Sequence, residues 1–243
     1  GHPVANVILV AKKFDWKVVF QESRSRAFMM ILESSDETKP PLFVVNVHLQ
    51  ATRRSYSENA QTRFSQVQSL VKRLNLAWGR IRDKLCPDES CDWASAQEPN
   101  VIVMGDFNLS PAEPLYTLLS EGKWPEDCKT HLPSKVSEVS ASSLPLLPLR
   151  DIRGARSLTR GIGERWTYAA TKQIFDYIFV SGAIEPVEHQ DYVPEVLLDE
   201  GAQSPESVLE EGNKPRILWP NEHHPSDHIP IGATLQIKQC SSP

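Results

Sequence analysis

The stretch LFVVNVH, residues 42–48, predicts a buried β-strand that ends on polar side chains. Successive side chains of a strand point to opposite faces of a sheet, so Phe43, Val45 and Val47 are expected on one face. Asn46 and His48 then lie on the other face, with His48 at the end of the strand. The core of the protein is therefore expected on the Phe43 side.

A long helix and a second buried strand follow this stretch. Ser55 and Glu58 form a capping box, which predicts the start of the helix. Apolar residues then recur at steps of three and four, as is typical of an amphipathic helix, at Phe64, Val67, Val71, Leu74, Trp78, Ile81 and Leu85. VIVM, residues 101–104, predicts the next strand. The order of strand, helix and strand predicts an α/β protein.

Further elements are predicted on both sides of this unit. Strands are expected over 16–21, 27–33, 174–180, 186–193 and 229–237, and a short helix over 113–120. Residues 129–149 are rich in Ser, Pro and Leu without a period, which predicts an irregular connection. PVANVILVA, residues 3–11, has the pattern of a buried strand with no lead-in, as expected of a chain that begins inside a domain.

Length and composition suit a single α/β domain spanning residues 1–243. The 243 residues are 40% hydrophobic, which is enough for a sizeable core. The formal net charge of -5 argues against holding nucleic acid by bulk electrostatics, so a basic surface must be local. No run approaches the roughly 18 apolar residues of a membrane span. We expect a monomer without membrane contact.

Polar side chains follow the ends of the predicted strands. In VIVMGDFN, Asp106 and Asn108 would point the same way if the chain stays extended. A carboxylate suits a hard cation or an attacking water, and an amide suits the charge on a phosphate oxygen, as does an imidazole such as His48. Asp and Asn after Gly are also ordinary turn residues, and a histidine at a strand end is commonly structural.

Two acids and an imidazole occur in the C-terminal half of the chain, in or next to predicted strands. Asp176 interrupts the apolar run IFDYIFV, and a buried carboxylate requires a partner. Asp227 and His228 are adjacent, but neighbouring strand residues point to opposite faces. We therefore expect His228 to pair with Asp176, which would fix its tautomer. A simple turn leading into a strand is the alternative for these residues.

Basic residues flank the predicted strand ends. Arg24, Arg26 and Arg53 are candidates for holding a polynucleotide backbone or a nucleotide phosphate. The alternative is charge on solvated loops. These arginines are taken forward as predicted substrate-binding residues, together with Asn108.

The segments VNVHL, GDFN, FDYIF and HPSDHIP, in this order, resemble the motifs of the endonuclease/exonuclease/phosphatase superfamily. The resemblance covers residues 6–237 and is strongest to the branch of the carbon catabolite repressor deadenylases, nocturnin, the Angel proteins and the mitochondrial 2′-phosphodiesterase. It implies a four-layer α/β sandwich with two mixed β-sheets flanked by helices, as in deoxyribonuclease I. It also implies Mg²⁺, or Mn²⁺ in its place, and in-line attack of a metal-activated water on a phosphoester.

The resemblance implies a role for each site residue. Asp106 would orient the attacking water, Asn108 and His48 would contact the scissile phosphate, and Asp176 would orient His228. The implied metal-binding residues are Asp106, Asn108, Asp227 and His228. The implied catalytic residues are His48, Asp106, Asn108, Asp176 and His228.

Two departures from the family pattern bear on activity and substrate. The family's Gln-Glu motif, which carries the principal Mg²⁺ ligand, is expected upstream of residue 1, because Gln21-Glu22 lies downstream of the matching strand; the domain is expected to lack its N-terminal strands. Deadenylases often have Trp and Pro where this chain has Gln50-Ala51-Thr52-Arg53. The expected substrate is RNA attacked from its 3′ end. The alternatives are a nocturnin-like 2′-phosphatase acting on NADP(H) and a noncatalytic binding module.

Overall fold

The central element of this computed structural model is a six-stranded mixed β-sheet. The structure describes residues 6–13, 15–36, 38–51, 56–87, 99–125, 148–152, 174–187, 226, 228 and 231–238. The strands are β1 (Trp16–Ser23), β2 (Ala27–Ser34), β3 (Leu42–His48), β4 (Asn100–Asp106), β5 (Arg150–Asp151) and β6 (Asp176–Ser181). Their spatial order is β1-β2-β3-β4-β6-β5. Only β3 and β4 run parallel among these neighbours.

Helix α1 (Tyr56–Leu85) connects the parallel pair β3 and β4 and covers one face of the sheet. Its apolar stripe is buried as predicted, with Phe64, Val67 and Val71 packed in the same cluster as the predicted inner face of β3. The rings of Phe43 and Trp78 meet edge to face with 6.0 Å between centroids. Burial of such side chains contributes about 1.5–3 kcal/mol each, and this layer therefore provides most of the core.

Helix α2 (Pro114–Glu121) packs against the same core through Leu115, Leu118 and Leu119. Pro114 begins the helix, where its missing N–H costs no hydrogen bond. Gly122 ends the helix in the left-handed conformation and donates its N–H to the Leu118 carbonyl at 3.0 Å. The helix predicted over 113–120 is confirmed, shifted by one residue.

A second, two-stranded sheet lies on the other face. It consists of β7 (Ile184–Pro186) and β8 (Leu235–Ile237), which are antiparallel. Leu235 and Ile237 pack against Ile178 and Val180 of β6. The α/β sandwich with flanking helices is confirmed. In the part of the chain that the structure describes, its layers are helices, the six-stranded sheet and this small sheet.

Two predicted strands differ from the structure. Residues 6–11 are irregular: Ile8 and Val10 pack against β2 and β3, whereas Leu9 is 91% exposed. The buried strand predicted over residues 3–11 is therefore wrong for the described part, which pairs with no described strand. The last strand is confined to Leu235–Ile237, and residues 231–234 are irregular. The strand predicted over 186–193 is instead Ile184–Pro186, and residues 188–193 lie outside the described residues.

Strand β5 was not predicted, because two residues are too few for a periodic signal. Glu58 lies in the first turn of α1, whereas the capping residue Ser55 and most of the 129–149 connection lie outside what the structure describes. Among the described residues, no helix combines the length and the hydrophobicity needed to cross a membrane.

Candidate active site

Four polar residues form a row across one end of the six-stranded sheet: Arg26, His48, Asp106 and Asp176. His48 of β3 lies opposite Asp106 of β4, and Asp106 lies opposite Asp176 of β6. The N–H of His48 donates to the Arg26 carbonyl at 3.0 Å, which extends the row to the start of β2. Directly opposed side chains project from the same face of a sheet. The row therefore lies on the face away from α1, since Val47 packs on the α1 side.

Asn108 reaches this row through a turn. Its φ of 50° is left-handed, its N–H donates to Asp106 Oδ1 at 2.8 Å, and its Nδ2 donates to Asp106 Oδ2 at 2.9 Å. Asn tolerates the left-handed conformation better than most residues. The two side chains do converge, although the backbone turns at Asn108 and does not stay extended. Nδ2 also donates to the Leu49 carbonyl at 3.1 Å, so both amide hydrogens are engaged.

Two imidazoles face one carboxylate oxygen. His48 Nε2 lies 3.5 Å from Asp106 Oδ2, and His228 Nε2 lies 3.8 Å from the same atom. His228 Nδ1 lies 2.7 Å from Asp176 Oδ2, which is the pairing expected from the sequence. The side chains of Asp106 and Asp176 are 15% and 13% exposed, and that of His228 is 25% exposed. The cluster is thus largely buried but reachable from solvent.

The electrostatics of the row shift two pKa values. Burial, and then the negative charge of Asp176, raise the pKa of Asp106 to about 6, against the opposing hydrogen bonds from Asn108. Burial, and then the positive charge of Arg26, lower the pKa of His48. Both shifts favour the uncharged side chain. A bound cation would stabilise the ionised carboxylate of Asp106.

The same residues offer a set of metal ligands. Asp106, Asp176 and His228 each present a ligand atom, and these atoms lie within 4.8 Å of one another. Carboxylate oxygens suit Mg²⁺ and Mn²⁺, whereas imidazole suits later transition metals better. The two carboxylates therefore fit a hard divalent cation. Asp176, expected only to orient His228, belongs to this set as well.

Arg24 and Arg26 are close in sequence but have different partners in the structure. The guanidinium of Arg24 forms an ion pair with Glu22. Glu22 lies opposite Met29, which packs in the α1-side core, so this pair lies on the face away from Asp106. Glu22 therefore offers no ligand to a cation at the row.

Two other predicted residues, Arg53 and Asp227, lie outside the described residues. Their roles in substrate and metal binding remain predictions. The roles of His48, Asp106, Asn108, Asp176 and His228 also remain predictions, although the structure brings these five side chains together.

Sequence reasoning missed three residues that support the site. Gln50 Oε1 accepts a hydrogen bond from Arg26 Nη2 at 2.9 Å. Arg63 is fully buried, and its Nη2 lies 2.6 Å from Glu113 Oε2. Arg63 precedes Val67 by four residues and therefore falls on the apolar stripe of α1. A charged residue on an apolar stripe requires a buried partner, and this feature of the sequence could have indicated the ion pair.

No protein-family model matches the chain. Carbon catabolite repressor protein 4 homolog 4 of Arabidopsis thaliana is 26% identical over 203 residues, which cover 82% of this chain and 38% of that protein. This chain thus spans well under half the length of that curated relative.

Solved structures resemble the fold. The crystal structure of ANGEL2, a 2′,3′-cyclic phosphatase, in complex with adenosine-2′,3′-vanadate has a TM-score of 0.57 and 17% identity, and covers 92% of this chain and 68% of that one. The human nocturnin catalytic domain with bound sulfate has a TM-score of 0.46 and 16% identity, over 92% of this chain and 61% of that one.

The fold, the ordered strand-end motifs and the curated relative agree on one class of protein. The chain resembles the endonuclease/exonuclease/phosphatase superfamily in the order of its motifs, in its fold and in the relative that it matches. Within that superfamily, the resemblance is to the branch that contains the carbon catabolite repressor deadenylases, nocturnin and the Angel proteins.

Proposed function

We propose that this protein is a divalent-metal-dependent phosphoester hydrolase. The observation that carries the proposal is the convergence of His48 Nε2 and His228 Nε2 on Asp106 Oδ2, at 3.5 and 3.8 Å, with His228 held by Asp176. Such a cluster supplies a carboxylate for a cation or water and two imidazoles for phosphoryl oxygens.

Each side chain has a distinct task in this proposal. Asp106 holds the attacking water or the cation, and Asn108 fixes the carboxylate through two hydrogen bonds. His228 donates through Nδ1 to Asp176, so Nε2 faces the reacting phosphate and can hold or move a proton there. His48, whose pKa is lowered, contacts a phosphoryl oxygen as a neutral hydrogen-bond donor. A bound divalent cation would neutralise charge that develops on the phosphoryl oxygens.

The proposed substrate is RNA, hydrolysed from its 3′ end. Two observations support a nucleotide substrate: the guanidinium of Arg26 beside the row, and the relation to a protein named as a carbon catabolite repressor. The chain has a net charge of -5, so affinity for a polyanion must come from local cations such as Arg26.

Product analysis tests this proposal. The purified protein is incubated with Mg²⁺ or Mn²⁺ and end-labelled RNA, NADPH or adenosine 2′,3′-cyclic phosphate. We expect cation-dependent release of 5′-mononucleotides from RNA, loss of this release with a chelator, and loss in Asp106→Ala. Asp36→Asn, in the turn between β2 and β3, should retain the activity. Phosphate release from NADPH alone would instead indicate the 2′-phosphatase.

A negative result needs a control for the Gln-Glu motif, which carries the principal Mg²⁺ ligand in the family that the chain resembles. Sequencing the 5′ end of the transcript shows whether the Gln-Glu motif precedes residue 1. If a protein that contains this motif hydrolyses none of the three substrates, the hydrolase proposal is wrong. A protein that binds RNA under those conditions without turnover would be the noncatalytic module.

A further inference from the structure

Gln50 joins helix α1 to the polar row. Its N–H donates to Gln66 Oε1 at 3.0 Å, and its carbonyl accepts from Arg63 Nη1 at 3.3 Å, so α1 holds both polar backbone groups of this residue. The Gln50 side chain points to the sheet and accepts from Arg26 Nη2 at 2.9 Å. Gln50 therefore restricts where the Arg26 guanidinium can lie.

Arg26 occupies the end of the row furthest from Asp176. It lies one strand beyond His48 and two strands from Asp106, which corresponds to a backbone separation of roughly 10 Å. Arg26 is half-buried and forms no ion pair with a carboxylate of the described residues. Within the described part of the chain, its guanidinium donates to the neutral amide of Gln50, so no described carboxylate cancels its charge. A guanidinium with open donors in a fixed fork suits a phosphate.

We propose that Arg26, positioned by Gln50, binds a second phosphate of the substrate, next to the one that is hydrolysed. The inference rests on the proposed function, which puts the reacting phosphate at Asp106 and His48. Arg26 lies one strand further from Asp106 than His48 does, and is therefore placed to meet the phosphate of the preceding nucleotide. Substrates with two phosphates in succession should therefore be favoured over those with one.

Arg24 and Arg73 provide comparisons of the same side-chain type. Arg24 lies two residues before Arg26 and is paired with Glu22 on the other face of the sheet. Arg73 is an exposed residue of α1 that also approaches Glu22, at 4.0 Å. Arg73→Met serves as the control for removing one positive charge. Arg24→Met tests whether the preference for a second phosphate depends on the position of the arginine within the turn or only on its charge.

The decisive experiment compares two short RNA substrates that share one scissile bond. A dinucleoside monophosphate contains only the bond to be cleaved, and the same molecule with a 5′-phosphate adds the second phosphate. We expect the second phosphate to lower KM about tenfold in the wild type, as one charge-assisted contact would. Arg26→Met should remove this preference, because the 5′-phosphorylated substrate loses more affinity than the unphosphorylated one. Arg73→Met should keep the preference.

Gln50→Leu separates positioning from charge. It keeps the Arg26 charge but removes the acceptor that orients it, so the preference for the second phosphate should fall while most of the salt dependence of KM remains. Arg26→Met should also reduce the salt dependence, by about the contribution of one phosphate contact. A general structural defect would instead impair both substrates equally.

A binding measurement distinguishes failure of this inference from failure of the proposed function. Titration of fluorescently labelled forms of the two molecules into Asp106→Asn, with and without Arg26→Met, requires no turnover. Tighter binding of the 5′-phosphorylated form that depends on Arg26 supports the subsite even if no hydrolysis is found. Equal binding of the two forms, equal losses for both in Arg26→Met, or a preference that depends on Arg24 rather than Arg26 would overturn it.

Discussion

His228 Nδ1 lies 2.7 Å from Asp176 Oδ2, although 52 residues separate the two along the chain. Asp176 begins β6 and is largely buried, so its carboxylate needs such a partner. The contact leaves His228 Nε2 directed at Asp106, 3.8 Å away. This geometry makes Asp176 the residue that orients the imidazole in the proposed reaction.

Replacing Asp176 with asparagine should lower kcat by about 10²–10⁴ with a smaller effect on KM, because the imidazole loses the partner that fixes its tautomer. Steady-state kinetics on RNA and the ¹⁵N chemical shifts of the His228 ring measure the two effects. Asp36→Asn is the control for an acid-to-amide change remote from the row. Unchanged kcat together with an unchanged tautomer would contradict an orienting role.

Cation affinity should fall at acidic pH. The pKa of Asp106 is raised to about 6 by burial and by Asp176, and a cation must compete with the proton for this carboxylate. Below about pH 6 we expect the apparent affinity for Mn²⁺ to fall by up to about tenfold per pH unit. Water proton relaxation in Mn²⁺ titrations measures it. Asp106→Asn should bind weakly at every pH, and a pH-independent affinity of the wild type would exclude Asp106 as a ligand.

The metal-free protein should be more stable at mildly acidic than at neutral pH. A carboxyl group whose pKa is raised from 3.8 to about 6 contributes stability that is complete below 3.8 and is lost as pH rises through about 6. We expect Asp106→Asn to exceed the wild type in free energy of unfolding by about 1–3 kcal/mol at neutral pH. The difference in free energy of unfolding between the two proteins should become smaller as the pH approaches 4.

Urea denaturation with a chelator at several pH values measures this dependence. Addition of Mn²⁺ should stabilise the wild type at neutral pH and leave Asp106→Asn nearly unaffected. A difference between the two proteins that stays constant across the pH range would show that Asp106 titrates normally.

Gly105 allows β3 and β4 to approach each other directly below the row. Its φ is 129°, and a Cβ at this position would overlap the carbonyl oxygen of Val47. Gly105→Ala should therefore cost about 3 kcal/mol or more and displace Asp106 from His48. Gly79→Ala is the matched control, because nothing lies within 4 Å of its added methyl group on α1. That substitution should stabilise the protein by about 0.5–1 kcal/mol, as thermal unfolding would show.

The buried pair of Arg63 and Glu113 ties α1 to the start of α2. The atoms Nη2 and Oε2 are 2.6 Å apart, and Glu113 Oε1 accepts from the Ser110 N–H at 2.9 Å. Arg63→Met or Glu113→Gln alone should each destabilise the protein by about 3–5 kcal/mol, because a buried charge loses its partner. The double variant should lose less than the sum of the two. Additive losses in chemical denaturation would show that the residues act independently.

Local patterns in the sequence were sufficient for the elements that decide the fold. The alternation of LFVVNVH gave the correct inner face of β3, and the three-four spacing gave the buried stripe of α1, because both depend only on chain geometry. Residues 6–11 show the limit of this reasoning. Their alternating burial matched a strand, but a strand also requires a hydrogen-bonded neighbour, which the local sequence does not specify.

The sequence by itself determined which residue types stand at the strand ends and the order in which they occur. It also gave the reason to pair Asp176 with His228, since a buried acid requires compensation. Tertiary structure alone decided the register that aligns Arg26, His48, Asp106 and Asp176. It likewise decided that Arg26 faces the row while Arg24 faces the other side. Strand register and the direction of a turn depend on contacts between segments distant in the chain, which no local pattern encodes.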